Sequence, residues 1–282
     1  MGSFSTATIA IAALALGLWN IIQNHDMTQD AGVNGIIGVP DESTSTTGQY
    51  STVGEYVCTH QYTIEMVSGD PLMIYINGFL SQYEINYLMS MACVPKVPAS
   101  LLLVADSKIL RQNMAYYNRT ASRSFVVPNA DPVGQCITAR AEKISGFLPW
   151  AIFEELQVVR YTPGERHDMH KDNMDKPFAH EGIGDRCNRL LSFFIYIGDQ
   201  CEGGETYFPH QLAAPEDSDT RKFGRTTKTS SRGLVVRPVA GNGLFWVNLK
   251  KDWTTDDRMR HASLPVTEGV KYGMNILGEG CY

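Results

Sequence analysis

A chain of 282 residues, 43% hydrophobic and 19% charged, has the means to bury a full core, which excludes a disordered chain and a coiled coil. Its formal charge of −6, with no Lys or Arg before Lys96, excludes the basic footprint of a nucleic-acid binder. Gly, Tyr and Phe are plentiful, which suits a β-rich globular protein.

Residues 1–22 contain the uncharged apolar run "TATIAIAALALGLWNII" (6–22), read as a membrane anchor or secretory signal. Its flanks are not basic, and a buried N-terminal helix is the plainer alternative. An anchor or signal would place the protein at a membrane or in the lumen of the endoplasmic reticulum. Residues 23–55, with "DESTSTTGQYSTVGE", read as a flexible linker. Six cysteines are widely spaced, with no CxxC, so zinc-ribbon and thioredoxin readings fail while disulfides stay open. Asn118-Arg119-Thr120 is a glycosylation sequon.

From residue 56 to 282 the pattern is globular. "PLMIYINGFLS" predicts a strand ending in a turn at Asn77-Gly78. Ser81, with Glu84 three residues on, predicts a capping box, and Ile85, Leu88, Met89 and Ala92 give the helix an apolar stripe before Pro95 and Pro98. A second helix is predicted from Asp131 or Pro132 to Ser145, with Val133, Ile137, Ala141 and Ile144 on one side. "LQVVRY", "LLSFFIYIG", "GETYF", "GLVVRPV", "GLFWVNL" and "VKYGMNIL" then predict short strands. Without crossover helices, they form an antiparallel sandwich or barrel with the earlier helices packed outside. The polar stretch 209–232 is long for a structureless loop, and with the loop 174–186 it is a candidate to close over a substrate.

"RYTPGERHDMHKDN" (160–173) concentrates histidine and aspartate. On a strand, residues two apart share a face, so His170 and Asp172 point one way with Asp168, while His167 points the other. Two histidines and one carboxylate on one side of an octahedron form an Fe(II) site that leaves the opposite side open. The pair alone could be a polar turn beside a strand. Among the other histidines, His25, His60, His180 and His210 sit in linker, pre-core or loop contexts, and His261 in "RMRHASLPV" enters a strand. Lys271 follows ten residues later, expected on the next strand of a hairpin. It offers a cation for a dicarboxylate cosubstrate, unless it is simply a solvated strand-edge lysine.

These blocks carry a resemblance. "LQVVRYTPGERHDMHKD", "NRLLSFFIYIGDQCEGGETYFP", "GLVVRPVAGNGLFWVNL" and "RHASLPVTEGVKYGMNIL", spanning 156–278, resemble in order and spacing the catalytic core of the prolyl 4-hydroxylases, a branch of the Fe(II)/2-oxoglutarate dioxygenases. The resemblance implies an α+β, mainly β fold, a double-stranded β-helix (jelly roll) with supporting N-terminal helices. It implies that His170, Asp172 and His261 bind Fe(II), that Lys271 binds the distal carboxylate of 2-oxoglutarate, and that Tyr161 and Thr206 help hold that cosubstrate. Arg189 matches a position near the substrate. O2 is the cosubstrate and ascorbate the supporting reductant. Hydroxylation of a prolyl residue in a peptide is then the leading reading, followed by a small-molecule hydroxylase. An inactive jelly-roll binding module is the reading from another class. Two departures stand out: His167 replaces a tyrosine common in the family, and "KYGMNI" after the lysine resembles fungal members.

Overall fold

The computed structural model describes residues 56–92, 123–146, 152–180, 184–224 and 233–281. The apolar N-terminal segment, the linker up to residue 55, Cys93 and the sequon at Asn118 lie outside them.

In chain order the elements are β1 (Thr63–Gly69), β2 (Leu72–Asn77), α1 (Gln82–Ala92), β3 (Arg123–Val126) and α2 (Pro132–Ile144). Then follow β4 (Ile152–Phe153), β5 (Gln157–Tyr161), β6 (His167–His170), β7 (Phe178–His180), β8 (Gly184–Gly198), β9 (Cys201–Gly203) and β10 (Thr206–Phe208). The last are β11 (Phe223–Gly224), β12 (Leu234–Val236), β13 (Gly243–Val247), β14 (His261–Ser263), β15 (Val266–Gly269) and β16 (Lys271–Cys281). All strand pairs among the described residues are antiparallel. The major sheet has nine strands in the order β1-β2-β13-β8-β16-β5-β3, with β4 and β7 alongside; the minor sheet has five, in the order β11-β12-β10-β14-β6. This is the mainly-β jelly roll with supporting helices that the sequence implies.

Strand sequences such as "LMIYIN" and "LLSFFIYIG" are apolar without alternation because both faces of the major sheet are buried. Ile74, Ile76, Phe193, Ile195, Phe245, Met274 and Ile276 pack with Leu88 of α1 and with Val133, Ile137 and Ala141 of α2. The alternate residues Met73, Tyr75, Phe194, Tyr196, Leu244 and Trp246 face inward and pack with Phe208, Val236 and Met259. Burying each such side chain stabilises the fold by about 1.5–3 kcal/mol.

Both helices start as their caps dictate. Ser81 Oγ accepts from the Glu84 N–H at 3.2 Å, and Glu84 Oε2 accepts from the Ser81 N–H at 2.7 Å. Asp131 caps α2 through the Gly134 N–H at 2.8 Å, with Pro132 at the first helical position. Glu84 does a second job. Fully buried, it receives Arg140 of α2 at 2.8 and 3.1 Å, and Arg140 also donates to the Phe79 carbonyl at 2.6 Å. Disulfides Cys58–Cys136 and Cys187–Cys281 tie the N-terminal approach to α2 and the outer ends of β8 and β16 together.

Candidate metal centre and its pocket

β6 and β14 are neighbours in the minor sheet, and His170 lies opposite His261. Asp172 follows β6 by two residues and turns back on both rings. His170 Nε2 is 3.5 Å and His261 Nε2 3.7 Å from Asp172 Oδ1, and the three donor atoms lie within 4.8 Å of one another. The side chains are only 10%, 15% and 7% exposed for His170, Asp172 and His261.

Each ring is oriented by the main chain. His170 Nδ1 donates to the Asp168 carbonyl at 2.7 Å, and His261 Nδ1 to the Met259 carbonyl at 2.9 Å. A carbonyl only accepts, so both protons sit on Nδ1 and both Nε2 atoms turn toward the carboxylate. Phe208 and Trp246 flank the His261 ring at 5.1 and 4.9 Å between centroids. Burial pushes the His261 imidazole down to about 4, so it is neutral at pH 7 and its Nε2 is a bare lone pair. Burial opposes the charge of Asp172, and the Ser192 hydroxyl favours it. Two imidazole nitrogens and a carboxylate oxygen within 4.8 Å of one another form a donor set that fits a divalent cation.

Around this cluster runs a polar scaffold that no sequence pattern signalled. Trp246 Nε1 donates to Asn248 Oδ1 at 2.8 Å, and Asn248 Nδ2 to Ser192 Oγ at 2.9 Å, which places the Ser192 hydroxyl on Asp172. Asn188 accepts from the Met174 N–H at 2.8 Å and donates to the Met174 carbonyl at 3.0 Å, clamping the chain just after Asp172. Such partners fix ligand orientation.

Two expectations for β6 are corrected. His167 does not face away from His170: their rings stack at 3.6 Å. The β6–β14 register slips, with Ser263 opposite His167 and His261 opposite His170, so three steps on β6 match two on β14. That bulge breaks the alternation and brings residues three apart to one side. Asp168 stays out of the cluster, bound by Arg166 at 2.7 Å.

Lys271 is also placed differently from its expectation. It does not follow His261 in a hairpin. Between them β15 pairs with β9, and Lys271 opens β16 in the major sheet, opposite Tyr161. Folding returns it to the site all the same. Fully buried, its Nζ donates to Ser263 Oγ at 2.8 Å and sits 4.7, 5.5 and 5.7 Å from the ring centres of Phe194, Tyr161 and Tyr196. No carboxylate among the described residues pairs with it, and burial pushes its ammonium down to about 7. A buried ammonium held by one hydroxyl and ringed by aromatics fits an anionic ligand.

The Gly-Gly of "GGETYF" makes room for this lysine. Gly203 and Gly204 have φ of 74° and 70°, and a Cβ on Gly204 would sit 3.0 Å from Lys271 Cδ. Thr206 next to them is buried, its Oγ1 2.8 Å from the Tyr196 hydroxyl.

A pocket joins the two centres. Tyr161, Thr206, Phe194 and Ser263 line its inner end; His170, Asp172 and His261 are in its wall; Gln157, Asn275, Leu277, Met174 and Arg189 line the rest. Lys271 lies just behind Ser263. Arg189 lines the pocket but is already engaged: it forks onto Glu154 and donates to the Asp172 carbonyl at 3.3 Å. Ser263, Gln157 and Asn275 were missed from sequence, although strand alternation puts Ser263 with His261, and Gln157 with Tyr161. The loop expectations shift as well. Within 174–186, β7 is a strand on β8, and of 209–232 the described part ends in β11, paired with β12.

Comparison with known proteins adds to this geometry. Residues 156–277 match the model of the 2OG-Fe(II) oxygenase superfamily. Prolyl 4-hydroxylase 1 of Arabidopsis thaliana is 31% identical over 211 residues, covering 74% of this chain and 69% of that protein. Prolyl 4-hydroxylase 2 of the same plant is 29% identical over 213 residues, covering 74% and 67%. In fold, the chain is similar to the viral collagen prolyl hydroxylase of Paramecium bursaria Chlorella virus-1 in its 2OG complex, with a TM-score of 0.50 at 21% identity over 74% of this chain and 96% of that one.

Proposed function

In a chain that belongs to the 2OG-Fe(II) oxygenase superfamily, on its prolyl 4-hydroxylase branch, we propose that His170, Asp172 and His261 hold Fe(II), with Lys271, Tyr161 and Thr206 holding 2-oxoglutarate. The protein is a 2-oxoglutarate-dependent dioxygenase of the prolyl 4-hydroxylase type, and its substrate is a prolyl residue in a peptide. The observation that carries the site assignment is the convergence of two imidazole nitrogens and a buried carboxylate oxygen within 4.8 Å of one another.

Bound iron, with 2-oxoglutarate and dioxygen, supplies the two-electron oxidation that puts one oxygen atom into a C–H bond and the other into succinate. The chain's own part is positional. The Asp168 and Met259 carbonyls keep both imidazoles in the ligating tautomer. Lys271 meets the far carboxylate of the cosubstrate, and the Phe194, Tyr161 and Tyr196 rings keep water from that ion pair. Arg189, braced by Glu154, borders the space left for substrate. Ascorbate would keep the iron ferrous between turnovers. Two disulfides support an oxidising compartment, the secretory lumen, to which an apolar segment at 6–22 would give entry. No helix among the described residues is long and apolar enough to cross a membrane.

The test is incubation of the full chain with Fe(II), ascorbate, 2-oxoglutarate and a proline-rich peptide. Peptide-stimulated succinate, with one oxygen atom gained on proline by mass spectrometry and both lost in His170→Ala, is expected. Succinate formation that ignores the peptide would replace the prolyl substrate with a small molecule.

A further inference from the structure

Within the pocket, β5 and β16 run side by side. Their rungs alternate, so Tyr161 opposite Lys271 marks one end and Gln157 opposite Asn275 the other. The two rungs are four residues apart, about 13 Å along the strands. A five-carbon dicarboxylate anchored at Lys271 and reaching the metal centre does not extend to the second rung, so Gln157 and Asn275 face substrate.

These two amides bond to each other, Asn275 Nδ2 donating to Gln157 Oε1 at 3.0 Å. Both are half-buried and both line the pocket. No buried side-chain polar atom among the described residues lacks a partner, so the remaining polar atoms of these two pocket-lining amides are accessible. One bond between two amides leaves one NH2 and one C=O over, whichever way round the pair is assigned. The leftover groups are therefore a donor and an acceptor side by side, on neighbouring strands.

An extended peptide residue presents its own N–H and C=O to the same side, as it does toward a neighbouring strand. That is the complement of this fork. Proline has no N–H, so the target itself cannot satisfy both halves. We propose that Gln157 and Asn275 form an amide fork that reads the main chain of a non-proline residue flanking the target proline. The substrate is thus an extended peptide recognised through its backbone, with free choice of the flanking side chain. This rests on the prolyl hydroxylase reading above and names what that site selects. Leu277, next on the same face of β16, supplies an apolar wall for the ring.

The experiment uses the full chain with Fe(II), ascorbate and 2-oxoglutarate, and two peptides. One alternates alanine and proline. The other is identical except that the alanines are N-methylated, which removes the N–H and keeps the carbonyl. The native chain is expected to show about a tenfold higher KM for the methylated peptide, the loss of one hydrogen bond to a group left unpaired. In the double variant Gln157→Met/Asn275→Leu, which removes both amides, the KM for the plain peptide rises and the preference between the two disappears. Gln157→Glu, which loses the donor and keeps acceptors, raises the KM for both peptides and keeps the preference. The KM for 2-oxoglutarate stays where it was, which separates a lost fork from a damaged fold. A preference that survives in the double variant overturns the fork while leaving prolyl hydroxylation intact. No oxygen gained by either peptide, with iron and 2-oxoglutarate bound, overturns the prolyl reading and the fork together.

Discussion

Arg140 and Lys271 are both buried cations, on opposite sides of the major sheet, and they are treated in opposite ways. Arg140, on the helix side, has its counter-charge within the chain: Glu84 meets it at 2.8 and 3.1 Å, and the Phe79 carbonyl takes a third bond. Lys271, on the pocket side, has one hydroxyl and three aromatic rings. A folded chain tolerates a buried charge only when something meets it. The helix side is closed on itself and serves stability. The pocket side is left open, and the proposed anion, cation and peptide would complete it.

The comparison breaks most directly at Glu84. Glu84→Ala strands Arg140 in an apolar interior and is expected to cost about 3–5 kcal/mol, read as a fall in denaturant midpoint. Lys271→Met, by contrast, removes a cation with no counter-charge. Its midpoint should stay or rise, while the KM for 2-oxoglutarate climbs by about a hundredfold, equivalent to about 2.7 kcal/mol. Equal destabilisation by both variants would erase the distinction between the two sides.

Acidity sharpens the same contrast. Burial holds the free Lys271 ammonium near 7, and a bound carboxylate favours its charged form. Affinity for 2-oxoglutarate is therefore fully present below pH 7 and falls above it, by up to about tenfold per pH unit. The KM for 2-oxoglutarate measured from pH 6 to 9 checks this, and Lys271→Met should flatten the profile. A smaller effect is expected at Ser192. Ser192→Ala removes the hydroxyl that steadies Asp172 and should weaken Fe(II) binding by about tenfold in a metal titration.

What was legible in the sequence was what local pattern encodes. The capping box at Ser81 and Glu84, the Asp131-Pro132 helix start and the apolar strands all appear as read, because each depends on neighbours within a few residues. His170, Asp172 and His261 come together as the family spacing implied, and Lys271 lies behind the same pocket. What escaped depends on long-range register. Arg140 reaches Glu84 across 56 positions, Asn275 reaches Gln157 across 118, and the cysteine pairs are 78 and 94 apart. No local period specifies which residue of one strand faces which of another. The His167–His170 stack was misread for the same reason: a bulge set by β14 overrides the alternation of β6. Glu84 shows both limits in one side chain. Its cap was readable three residues away, and its ion pair was not.

The most direct test of the account is an iron count. Purified chain titrated anaerobically with Fe(II) in the presence of 2-oxoglutarate should bind one iron per chain, and Asp172→Ala, folded by its unfolding midpoint, should bind none with comparable affinity. Iron bound equally well by the variant would contradict the assignment of the metal centre to His170, Asp172 and His261, and with it the reading of the pocket built around them.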